Sequence, residues 1–160
     1  MDTRMDLRFE PVWEEIDRIR EATADFLRGR GLSQDTVDAI AMVACELIEN
    51  AMKYGEFGPG DTISLSVQHR PHAVLVEIKS PIGDVGSRNL ALMDRMVQWI
   101  RGRQDPFEAY LSRLQEVSMQ DLYEKESRLG LVRIAYEGQS ILDFYVDENN
   151  QLAVSAVHPL

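Results

Sequence analysis

Cysteine is almost missing from this sequence: Cys45 stands alone. One thiol excludes an internal disulfide and any cysteine-rich metal cluster built within a single chain. Its place between Ala44 and Glu46, inside a helical pattern, suits plain packing. Histidine is nearly as scarce. His69, His72 and His158 fall at strand ends and near the C-terminus, without the i, i+4 spacing that assembles a zinc site, and are expected to be solvated. No apolar run approaches the roughly eighteen residues needed to span a bilayer. The opening Met1-Asp2-Thr3-Arg4-Met5-Asp6 carries charges where a signal peptide needs an apolar stretch, so a soluble, cytoplasmic chain with no membrane partner is expected. Positive charge is also short. Against 27 acidic residues stand 17 basic ones, a formal charge of -10 whose field repels polyphosphate backbones and argues against direct nucleic-acid binding.

What is present has the size and balance of one globular domain: 160 residues, 44% of them hydrophobic, with no internal repeat and no linker rich enough to divide residues 1–160. Residues 5–10 alternate apolar and charged and end at Pro11, which predicts a short, half-buried edge strand. Val12, Ile16, Ile19, Thr23, Phe26 and Leu27 follow the helical period, and Gly29 and Gly31 offer left-handed residues to end that helix. Ser33 can cap a second helix, Asp35 suits its N-terminal dipole, and Val37, Ile40, Ala41, Ala44, Ile48 and Ala51 form its apolar stripe to about Tyr54. Thr62–His69 and Ala73–Ser80 alternate as strands around a turn at Arg70-Pro71.

A loop over Ser80–Ser87 precedes helical patterns at about residues 89–103 and after Pro106, making a helical insertion at about residues 88–125. The polar stretch 118–128 reads equally as loop, frayed helix or flap. A short apolar helix over Leu129–Tyr136 then ends near Gly138, and Ile141–Asp147 and Gln151–Val157 form a last pair of strands. Strands in antiparallel hairpins with helices in blocks predict an α+β fold: a two-layer sandwich with a mostly antiparallel sheet and helices on one face.

The chemistry-bearing residues cluster on the second helix. At about 100° per residue, Glu46, Asn50 and Lys53 share a face beside the apolar stripe. A carboxylate can deprotonate a hydroxyl, an amide oxygen can complete a magnesium shell, and an ammonium can neutralise phosphate. By spacing alone the same residues also describe an ordinary solvated helix face.

The run Glu46-Leu47-Ile48-Glu49-Asn50-Ala51-Met52-Lys53-Tyr54-Gly55 resembles the N-box helix of the GHKL superfamily, the histidine kinase, gyrase and chaperone type of ATP-binding fold. With the Leu7–Pro11 strand and the spacing of the first two helices, it is most similar to the bacterial anti-sigma factor serine/threonine kinases, with a layout that matches best over residues 5–80. The resemblance implies a GHKL ATP-binding fold, magnesium-ATP as cofactor, Glu46 as general base and Asn50 as the magnesium ligand. It also implies an antagonist protein or sigma factor as partner, and a homodimer. Where the family carries an adenine-reading aspartate in an Asp-x-Gly-x-Gly loop, this chain has Ser80, followed by Pro81-Ile82-Gly83, with an Asp-x-Gly fragment at Asp84-Val85-Gly86. Either Ser80 or Asp84 could face the adenine, or Asp84 and Gly86 are turn residues. Gly130, in Ser127–Arg133, corresponds to the phosphate loop or packs against the sheet.

Two functions follow from these residues. One is an anti-sigma-type regulatory kinase that phosphorylates a small antagonist protein. The other is a GHKL-fold binding module that regulates by protein capture without using ATP. A detached histidine-kinase catalytic domain ranks below both, because no phosphoacceptor helix with a suitably flanked histidine is present.

Overall fold

The computed structural model describes residues 3–55, 57–81, 134, 138, 140–147, 149 and 151–160. Its elements in chain order are β1 (Arg4–Phe9), α1 (Glu15–Arg28), α2 (Gln34–Tyr54), β2 (Ile63–Arg70), β3 (Ala73–Pro81), β4 (Ile141–Val146) and β5 (Gln151–Pro159). The expected helical insertion, the loop beyond Pro81 and Gly130 lie outside the described residues.

Helix α1 starts three residues later than its apolar pattern suggests. Backbone bonds from Glu15 to the Val12 carbonyl and from Ile16 to the Trp13 carbonyl turn the chain tightly first. Val12 and Trp13 are left exposed rather than packed. The stripe proper is Ile16, Ile19, Thr23 and Leu27, all buried. Thr23 belongs there because its hydroxyl donates to the Ile19 carbonyl at 2.8 Å, so burial strands no polar atom. Of the two glycines beyond α1, Gly31 takes the left-handed backbone, at φ 77°, while Gly29 stays right-handed. Ser33 caps α2 as expected, its side chain accepting from the Thr36 N–H at 3.3 Å. The helix closes with the Gly55 N–H on the Ala51 carbonyl at 2.8 Å.

The five strands form one sheet in the order β1-β2-β3-β5-β4, with every neighbouring pair antiparallel. Strand β1 is an edge, as its half-polar pattern predicts. Strands β3 and β4 point the same way with β5 between them, so residues 82–140 connect them as a crossover rather than a hairpin. Alternation assigns the faces: Ile63, Leu65 and Val67 of β2, Val74, Val76, Ile78 and Ser80 of β3, and Val154, Ala156 and His158 of β5 are buried together. Against this face lie Ile40, Val43, Leu47 and Ile48 of α2 and Ile19 and Leu27 of α1, each 2% exposed or less. The molecule is thus a two-layer α+β sandwich, two helices on one face of an antiparallel sheet. Each fully buried Ile or Leu removes enough apolar surface to contribute about 1.5–3 kcal/mol.

One expectation from the sequence does not hold. His158 is not a solvated terminal side chain but is 6% exposed, with Nδ1 2.6 Å from the Gly138 carbonyl oxygen. Alternation in β5 turns it toward the helices, and the carbonyl satisfies its polar edge.

Candidate functional site

Helix α2 presents three flanks, and the candidate residues divide among them. Taking Glu46 as reference, Met42, Glu49 and Cys45 lie about 40–100° to one side, Val43 and Asn50 about 40–60° to the other, and Lys53 close to Glu46 itself. Burial follows the same division. Glu46 is half-buried, Asn50 is 5% exposed, and Lys53 is exposed in the last turn, where its charge also suits the helix dipole.

On the first side, α1 and α2 leave an open groove of about 330 Å³, lined by Arg20, Ala24, Met42, Cys45, Glu46 and Glu49. That volume is at the low end for a small-molecule site, so the groove opens Glu46 to an approaching group rather than enclosing a nucleotide. Burial pushes the Cys45 thiol up from its ordinary value, and the adjacent Arg20 guanidinium opposes that shift only in part. Cys45 therefore remains a protonated packing residue at neutral pH, as its sequence context suggests. Sequence reading passed over Arg20. Its only local signal is an arginine on the α1 face next to the apolar stripe, which is common on solvated helices.

On the second side lies Asn50. Its Nδ2 is buried and has no hydrogen-bond partner among the described residues. Val43, two helical turns earlier on this flank, is met closely by Gly138, and Ile134 is fully buried nearby in the core. The flank is therefore covered by the fold while the amide upon it is left unsatisfied. A buried amide costs about 1–3 kcal/mol when unpaired, and such a group calls for a functional explanation.

Ser80 reaches the space between the layers from the sheet. It is 3% exposed, on the helix-facing side of β3, and is paired in register with Leu152 of β5. Glu46, Asn50, Lys53 and Ser80 thus all belong to α2 or to the helix-facing side of β3, the strand across which α2 chiefly packs. Asp84, Gly86 and Gly130 lie outside the described residues.

The profile of the histidine kinase-like ATPase domain matches residues 9–98, which is more than half of the chain and includes β1's end, both helices, and β2 and β3. The chain belongs to this ATPase-domain family. Among solved structures, this ATPase domain is similar to a chain in the crystal structure of the SiaB–SiaC complex from Pseudomonas aeruginosa. The TM-score is 0.69 at 15% identity, over 98% of this chain and 89% of the other. At that identity the likeness establishes the shared fold. No curated protein sequence matches the chain.

Domains of this family generally bind ATP with magnesium, and the residues of α2 fit that group. Magnesium prefers oxygen donors and keeps waters and phosphate oxygens around few protein ligands. Among the described residues no three His, Cys, Asp or Glu side chains converge to hold a metal. A single amide supplemented by phosphate and water is therefore the kind of shell this ATPase domain could offer. The unpartnered end of Asn50 accommodates it, since rotation about the terminal torsion exchanges Nδ2 and Oδ1. No described helix is long and apolar enough to cross a membrane.

Proposed function

We propose that the chain is an anti-sigma-type regulatory protein, an ATP-dependent serine/threonine kinase acting on a small antagonist protein. The observation that carries this reading is the buried, unpartnered Asn50 amide one helical turn from the half-buried Glu46, in a chain of the ATPase-domain family. Bound magnesium-ATP would supply the transferable phosphoryl group. Asn50 would hold the metal, Lys53 would offset phosphate charge, and the Ser80 hydroxyl would accept a hydrogen bond from the adenine amine. Glu46, standing between the open groove and the Asn50 flank, would take the proton from the incoming serine or threonine hydroxyl. That a similar chain is found in a two-protein complex supports a protein substrate.

The test is a melting curve with and without millimolar magnesium-ATP, since a ligand held only by the folded state stabilises it by about 2.7 kcal/mol at a hundredfold excess over Kd. A rise in Tm that Asn50→Ala abolishes, followed by phosphate transfer to a co-purifying partner that Glu46→Gln abolishes, is expected. No rise with Asn50 intact would sink the kinase and leave the second reading, a GHKL-fold module that captures its partner without ATP. Ser80 favours that alternative, because a neutral hydroxyl replaces a carboxylate as the acceptor for adenine.

A further inference from the structure

His158 stands in β5 opposite Val74 of β3, on the side of the sheet that faces the helices. Because a carbonyl oxygen only accepts, the 2.6 Å contact with Gly138 makes Nδ1 the protonated, donating nitrogen. The Ser140 hydroxyl donates to the same oxygen at 2.9 Å, and the Ser140 N–H donates to the Ile134 carbonyl at 3.2 Å. These bonds link Ile134, Gly138 and Ser140 to one another and, through the imidazole, to the sheet.

The same residues meet α2. A Cβ added at Gly138 would collide with Val43 Cγ2 and come within 2.6 Å of the Ile134 carbonyl oxygen, so only a glycine lets the backbone approach this closely. Val43 and Asn50 are seven residues apart, two turns along one flank. How firmly Gly138 is seated therefore sets the wall beside Asn50.

We propose that His158 is a positioning residue for the nucleotide site, holding Gly138 on Val43 and so fixing the α2 flank that presents Asn50. The inference rests on the reading of Asn50 as a metal-holding amide. Residues that orient a metal ligand from behind typically change affinity by about 10–100-fold when lost.

The experiment compares the full chain with His158→Asn and His158→Gln by calorimetric titration with magnesium-ATP, alongside melting curves without nucleotide. An asparagine places its amide N–H near the position of the imidazole Nδ1, whereas a glutamine reaches past it. The expected result is at least about tenfold weaker binding for His158→Gln and near-parental binding for His158→Asn. A purely packing role would lower both melting temperatures without separating the two affinities, and that outcome overturns the proposal. Binding by the parent chain with no loss in His158→Gln also overturns it, leaving the site reading intact. Absence of binding by the parent chain overturns both. Should His158→Gln fail to fold, Ser140→Ala removes the other donor to Gly138. Weaker binding there supports the clamp, and unchanged binding overturns it.

Discussion

Burying an amide without a partner costs free energy that a leucine in its place would not, and α2 carries that cost at Asn50. If the amide is kept for a ligand, Asn50→Ala should leave the ligand-free protein within about 1 kcal/mol of its parent, or make it more stable, while removing the response to magnesium-ATP. Chemical denaturation of the two proteins without nucleotide checks this, and a loss well above that figure would assign Asn50 to the scaffold. Cys45 makes the opposite case. With its thiol pushed up by burial, alkylation of the native protein at pH 7 should be far slower than in denaturant, which a timed iodoacetamide reaction measures. The spacing of Glu46, Asn50 and Lys53 was readable because a helix converts sequence interval into angle. That Asn50 would be buried and Lys53 exposed was not, since this depends on Ile134 and Gly138, which arrive from far along the chain.

Among the elements, α2 was the most legible. Its cap at Ser33, its acidic first turn and its long apolar stripe all agree with one another, and local agreement of this kind is what a single helix requires. The start of α1 was less so, because Val12 fits the helical period yet precedes the turns that begin the helix. The β4–β5 hairpin shows how a polar residue can organise a turn. Asp147 Oδ1 accepts from the backbone N–H of Asn149 at 2.9 Å and of Gln151 at 3.0 Å, with Lys79 Nζ 3.7 Å from its other oxygen. The Gln151 hydrogen bond foremost holds this carboxyl below its ordinary value. A depressed carboxyl contributes stability above its unfolded pKa and loses that contribution as pH falls through the folded one. Asp147→Ala should therefore melt below the parent at pH 7, and the difference should close as pH drops below about 4. Gly138→Ala tests a different contact at the same scale: the added methyl must displace Val43 or the Ile134 carbonyl, at a cost of about 1–3 kcal/mol in denaturant titration.

For the whole molecule, the formal charge of -10 is spread over one small domain, and self-repulsion of that kind weakens with ionic strength. Raising sodium chloride from about 0.05 to 0.5 M should raise Tm, and a fall would mean that attractive pairs outweigh the repulsion. The two-layer architecture was legible from alternation and helical period alone. The position of β5 between β3 and β4 was not, because pairing partners of a crossover are set by tertiary packing rather than by any local turn. That order makes residues 82–140 difficult to excise. Pro81 lies level with Gln151, whereas Ile141 lies level with Val157 and Leu75, about six residues or roughly 20 Å back along the strands, and two strands over. A two- to five-residue turn cannot cover that distance. What looks in the sequence like a removable module is therefore a span the sheet depends on, and a shortened chain with a tight turn at this point would lose β4 from its native place beside β5.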